Sequence, residues 1–150
     1  MPAAKPISKR MLELIDALPL EPGMRVLEIG CGPGVAAREV ARRVAPGHVL
    51  AVDRSAKAIQ LARAGSKAEL ASGRLALRCV AIEDFELDPN EVRFDLAFAF
   101  RVGALDGRHP ALYDRALARI AAALKPKAVL WIDGGSPLRA LPLPPQVRRK

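Results

Sequence analysis

Between Arg25 and Val35 the chain reads R-V-L-E-I-G-C-G-P-G-V, and few stretches restrict a fold as tightly. Val26, Leu27 and Ile29 form a short apolar run of the kind that makes a strand buried on both faces. Three glycines follow at alternate positions, Gly30, Gly32 and Gly34. Such a run lets the backbone turn sharply and a ligand come close, because a residue without a Cβ tolerates φ > 0 and leaves room beside the main chain. After Gly34 the period changes. Val35, Val40 and Val44 fall on one side and Arg38, Glu39, Arg42 and Arg43 mostly on the other, so a helix begins where the glycines end. Strand, glycine turn and helix make the opening half of a nucleotide-binding βαβ unit.

A chain of 150 residues is expected to hold one domain. Its 51% hydrophobic and 27% charged residues are a globular composition. No apolar run approaches the ~20 residues that span a bilayer, and the first ten residues lack the apolar core of a signal peptide. The cytoplasm is the expected compartment, with no membrane partner. Cys31 and Cys79 follow no metal-ligand spacing and read as reduced thiols in small spaces, so no metal site is expected. The net charge of +8 raises nucleic acid or another polyanion as a partner. Eight bases and one acid fall in residues 115–150, three of those bases being Arg148, Arg149 and Lys150. A solvated basic tail is the ordinary explanation for that cluster.

In chain order, Met11, Leu12 and Ile15 mark a first helix over 8–17 that Ser8 can cap. The first strand, the glycine turn and a helix to about Val44 follow. His48–Val52 is a second strand closing on Asp53, and it must return parallel to the first. Ser55 caps another helix, which ends near Ala64 or continues past Gly65-Ser66 toward Leu70. Leu75–Val80 is a third strand, and A-I-E-D-F-E-L-D-P-N-E-V-R after it reads as a long loop or a single helical turn. Phe94–Phe100 is a fourth strand. Pro110 opens a last helix with Leu112, Leu117, Ile120 and Leu124 inward, stopped at Lys125-Pro126, and Ala128–Ile132 is a fifth strand. The divisions expected are a domain over 1–135 and a proline-rich basic tail over 136–150, whose Pro137, Pro142, Pro144 and Pro145 argue against regular sheet or helix.

Strands alternating with helices predict an α/β fold, an open, doubly wound, mostly parallel sheet of about five strands with helices on both faces. Ligands bind such sheets at the carboxyl ends of the strands. The glycine turn, Asp53, the loop after Val80 and the segment after Phe100 all lie there, so they converge on one crevice.

Gly32, Gly34 and Ala37 fit the dinucleotide spacing G-x-G-x-x-G/A formally, but the pattern starts late relative to the strand. E-x-G-x-G-x-G, from Glu28, Gly30, Gly32 and Gly34, describes the turn better. V-L-E-I-G-C-G-P-G closely resembles the first motif of the class I S-adenosylmethionine-dependent methyltransferases, and the resemblance extends over about residues 10–133. It implies a strand order of 3-2-1-4-5, S-adenosyl-L-methionine as cofactor, and methyl transfer by in-line displacement to a small-molecule acceptor. It implies that Glu28, Gly30, Cys31, Gly32, Pro33 and Gly34 form the turn around the donor. Asp53 in A-V-D-R-S matches the acid that hydrogen-bonds the ribose hydroxyls, and Arg54 would lie beside the adenine. In A-I-E-D-F, Ala81 stands where relatives place an acid, so the adenine contact falls to Glu83, Asp84 or the backbone around Ile82. Phe100, Arg101 and Val102 match the segment that flanks the methionine portion and the substrate. No catalytic base is identifiable.

Relatives usually add an antiparallel hairpin after the fifth strand, and this sequence carries no obvious counterpart. The fifth strand is then an edge that needs cover. The tail, through Leu138, Leu141 and Leu143, or a second subunit in a homodimer is expected to supply it. The same shortness leaves open a module that binds the nucleoside without transferring methyl; a nicotinamide-dependent oxidoreductase fits less well. Individual residues also keep plainer readings. Glu28 either reaches the ligand's amino group through the turn or simply holds the turn. Glu83 and Asp84 are either site residues or a solvated loop, and Arg101 either meets substrate or makes a surface salt bridge. His109 and Tyr113 read as structural, and Cys31 as a packing residue.

Overall fold

A computed structural model of the chain describes residues 7–105 and 108–145. The helix α1 (Lys9–Ala17) precedes the strand β1 (Arg25–Ile29), and α2 (Val35–Arg43) follows it. Then come β2 (His48–Asp53), α3 (Ala56–Gly65), α4 (Lys67–Ala71), β3 (Leu75–Cys79), a 3₁₀ turn (Ile82–Asp84) and β4 (Phe94–Ala99). A second 3₁₀ turn (Gly103–Leu105), α5 (Pro110–Ala123), β5 (Leu124–Asp133) and β6 (Leu138–Leu141) complete the order. The strands form one sheet in the order β3-β2-β1-β4-β5-β6, parallel except for the last pair. Among the described residues, no helix is long and apolar enough to cross a membrane.

Strand alternation sorts the core into two layers. Leu27, Ile29, Leu50, Val52, Ala97 and Ala99 face one way and pack against Ala116, Leu117 and Ile120 of α5. Val26, Val49, Ala51, Leu96 and Phe98 face the other way and pack against α1, α2 and α3 through residues such as Ile15, Val40 and Ile59. The strands β1, β2 and β4 are almost wholly buried on both faces, as their place inside the sheet with helices on either side requires.

At the amino-terminal end, Asp95 joins three strands. Its Oδ2 accepts from the Arg25 N–H at 2.8 Å and its Oδ1 meets Lys125 Nζ at 2.7 Å. Lys125 belongs to an irregularity in the β4–β5 register, where Phe94 pairs with Leu124 but Leu96 already pairs with Val129. The strand β5 therefore begins at Leu124, earlier than its apolar run suggests.

Residues 138–141, expected within an extended tail, instead form β6. Leu138–Leu141 pairs antiparallel with Leu130–Asp133. Prolines do not prevent this, because Pro137 lies in the turn and Pro142 just beyond the strand, leaving the four intervening residues their N–H groups. Leu141 is buried, and Leu138 and Leu143 pack against the two core layers. The tail, one of the two covers expected for the fifth strand, thus pairs along its outer edge.

Candidate functional site

The glycine turn is pinned to the end of β2. Three successive amides point there: the Gly30 and Cys31 N–H groups donate to Val52 O at 2.8 and 3.0 Å, and the Gly32 N–H donates to Asp53 Oδ2 at 2.9 Å. The other Asp53 oxygen accepts from the Ser55 N–H at 2.9 Å, while Ser55 Oγ caps α3 by accepting from Ala58 N–H. Gly30 adopts φ 71, and a Cβ there would lie 2.6 Å from Val102 Cγ2. Only glycine lets the segment after β4 close over the turn this tightly. Behind the turn Arg38 Nη1 donates to Pro33 O and to Ser66 Oγ, both at 3.0 Å, and Ser66 is fully buried. Arg38 thus braces the turn from α2.

The loop after β3 is anchored by Phe85, which is buried with the Arg78 guanidinium 5.5 Å from its ring centre. Arg78 also pairs with Asp88 and Glu91 at 3.1 and 3.0 Å. That anchoring turns the 3₁₀ segment so that Ile82 and Glu83 face inward, 5% and 7% exposed. Beyond β4 the backbone swings through Arg101 at φ 59, where the Arg101 N–H donates to Asp133 Oδ1 at 3.1 Å.

These segments enclose a cavity of about 320 Å³ at the carboxyl ends of β1 to β4. Its size falls at the lower end of small-molecule sites. Gly30, Asp53 and Arg54 line one side, Ile82 and Glu83 another, and Arg101 and Val102 a third, with Arg108 and His109 at the start of α5. A carboxylate has about four acceptor positions. The two N–H donors to Asp53 leave others for hydroxyl donors in the cavity.

Glu28 lies behind the turn, 4% exposed, and its Oε1 is buried with no hydrogen-bond partner. Burial, reinforced by the Asp53 carboxylate and opposed by the Arg38 guanidinium, pushes its carboxyl up to about 8. Burial likewise pushes the Cys31 thiol up to about 12, with Glu28 and Asp53 adding to it. A buried thiol kept protonated fits a packing role.

A family model described as a methyltransferase domain matches residues 26–127, the span from β1 to the start of β5. The chain belongs to this family. Among curated relatives, the methyltransferase domain is 37% identical over 112 residues to a ubiquinone biosynthesis O-methyltransferase of Bradyrhizobium diazoefficiens, across 74% of this chain and 40% of that protein. It is 29% identical over 144 residues to the nocamycin O-methyltransferase of Saccharothrix syringae, across 96% of this chain and 46% of that protein. Among solved structures, the Haemonchus contortus phosphoethanolamine N-methyltransferase 2 in complex with S-adenosyl-L-methionine superposes with a TM-score of 0.66 at 27% identity, across 82% of this chain and 27% of that one. The chain thus spans less than half the length of the curated relatives it matches.

Within the methyltransferase domain, Gly30, Asp53, Arg54, Ile82, Glu83 and Arg101 come together around the cavity. Cys31, Gly32, Pro33 and Gly34 support it from the turn without lining it. The acidic pair after β3 divides: Glu83 faces the cavity, whereas Asp84 is exposed and ion-paired with Arg115 of α5. Phe100 is 9% exposed and turned to the opposite core layer, its ring 4.9 Å from that of Phe98. Arg108 and the brace Arg38 were not singled out from the sequence. Arg108 could have been found from its place, in the glycine-bearing segment between the end of β4 and Pro110. Of the eight bases after residue 114, Arg115, Arg119 and Lys125 pair with Asp84, Glu86 and Asp95; Arg148, Arg149 and Lys150 lie outside the described residues.

Proposed function

We propose that this methyltransferase domain binds S-adenosyl-L-methionine in the cavity at the ends of β1 to β4 and presents its methyl group to a small-molecule acceptor. The observation that carries the reading is the convergence of the Gly30 turn, the Asp53 carboxylate and the Glu83 segment on one cavity. A structural relative solved with this cofactor supports it.

The residues fit the group in three respects. The turn at Gly30 gives a bare backbone approach, Asp53 keeps acceptor capacity for a vicinal diol, and Ile82 supplies an apolar wall for a base. When bound, the cofactor supplies an activated methyl group whose displacement requires little covalent help. The chain's task is then alignment and exclusion of water, effects worth up to ~7–11 kcal/mol when the geometry is tight. Asp53 would hold the ribose end, Glu83 and the backbone around Ile82 would meet the base, and Val102, packed over Gly30, would help to close the turn against water.

Calorimetric titration with S-adenosyl-L-methionine, its demethylated product and NAD tests the reading. Binding of the first two with no heat from NAD is the expected result. Binding of NAD alone would overturn it in favour of a dinucleotide site. Turnover against a panel of acceptors then separates a transferase from a module that only binds.

A further inference from the structure

The cofactor cavity has a neighbour. Sharing Arg101 and Val102 with it is a second cavity of about 580 Å³, between the carboxyl ends of β4 and β5 and the strand β6. Arg101, Val102 and Arg108 line both cavities. Molecules in the two would therefore touch the same residues, which sets the second cavity directly beside the first.

The floor of this second cavity is apolar, made by the buried side chains of Ala99, Leu105 and Ile132. Its rim is cationic. Arg101 and Arg139 bring two guanidinium groups to that rim beside the Asp133 carboxylate, which already accepts the Arg101 N–H. Arg139 stands opposite Ile132 in the β5–β6 pairing, its Nε 3.9 Å from where a Cβ on Gly134 would stand, so its side chain lies over the turn at the cavity mouth. Arg101 takes a left-handed backbone conformation, rare for a residue with a Cβ, directly after β4, and it lines both cavities. Guanidinium groups pair with carboxylates and phosphates through parallel N–H donors, more favourably than with neutral groups.

We propose that this second cavity is the acceptor site and that it selects a small anion, a carboxylate or phosphate ester on an apolar body, with Arg101 and Arg139 meeting the charge. The proposal rests on the reading that the first cavity holds the methyl donor. The apolar floor suits a ring or short hydrocarbon, and the rim discriminates against a neutral molecule of the same shape.

The test titrates benzoate, phenyl phosphate and benzyl alcohol into the full chain saturated with the demethylated cofactor product, and repeats the series with Arg139→Gln and Arg139→Glu. At least one anion should bind about tenfold more tightly than benzyl alcohol, with the preference shrinking as salt is raised. Arg139→Gln should abolish most of that preference and Arg139→Glu reverse it, both leaving affinity for the cofactor product unchanged. Circular dichroism confirms that the variants fold, and Arg139→Met, which keeps the length of the side chain without its charge, serves in their place if they do not. Equal binding of anions and alcohol, no binding of either anion, or a preference unmoved by these substitutions would overturn the proposal. Competition between the anions and the cofactor product would also overturn it, since the arginines would then serve the donor's own carboxylate. If the cofactor product does not bind at all, the proposed function fails; the same titrations on the free protein still decide the anion preference.

Discussion

Asp53 Oδ2 accepts the Gly32 N–H at 2.9 Å, so the carboxylate expected to hold a ligand also holds the loop that cradles it. Its substitution should therefore have two effects. Asp53→Ala leaves the Gly32 and Ser55 amides without their acceptor, and affinity for the demethylated cofactor product should fall by ~1–3 kcal/mol. Asp53→Asn keeps one acceptor oxygen and should preserve more of the thermal stability than the affinity. Calorimetry and thermal melts on both variants check this, and unchanged affinity in both would remove Asp53 from the binding role.

Glu28 should make the domain less stable toward alkaline pH. Its carboxyl, pushed up from 4.5 to about 8 by burial first and by Asp53 second, holds more protons folded than unfolded between those values. Stability therefore falls as pH rises through that interval. Glu28→Gln removes the titration. Its melting temperature should match the wild type most closely below pH 4.5 and exceed it increasingly up to pH 8. A difference that stays constant across the interval would show that Glu28 does not titrate there.

Gly30→Ala should destabilise the fold by about 1–3 kcal/mol, the usual cost of a strained backbone conformation, with a further steric component. The new methyl would stand 2.6 Å from Val102 Cγ2 at a backbone φ of 71. Adding Val102→Ala removes the collision but not the strain, so the double variant should recover part of the loss. A denaturant-based double-mutant cycle reads this coupling. Strict additivity would mean that Val102 does not press on the turn.

Thiol labelling should separate the two cysteines. Cys79 is exposed, whereas Cys31 is buried and its thiol is pushed up to about 12, by burial before the nearby carboxylates. Maleimide at neutral pH should modify one thiol per folded chain and both after denaturation, with mass mapping assigning the fast site to Cys79. Fast labelling of Cys31 in the folded state would contradict the packing role.

Much of the fold is written in local pattern. The apolar run at Val26–Ile29, the glycines after it and the acid closing β2 each impose a backbone geometry by themselves, and the structure joins them as those geometries require. Phe100 was harder to read, although its parity was available. It stands two residues past Phe98 and four past Leu96, so strand alternation directs all three to the α1 and α2 side, away from the cavity. Glu83 and Asp84 could not be separated by pattern, because a single 3₁₀ turn has no period; the buried Phe85 anchor and the Arg115 partner divide them, and Arg115 is distant in sequence. The strand β6 was hidden by its prolines. Their number argued for a tail, while their positions, on either side of L-R-A-L, leave that segment free to pair.

That last strand has a consequence for how such a domain can change. Leu138 and Leu141 shield the edge of β5, and Arg139 between them reaches the mouth of the second cavity. The four residues that carry the sheet edge outward from β5 thus also carry a side chain that lines the second cavity. A substitution in this strand would act on the sheet edge and on the mouth of the cavity at once.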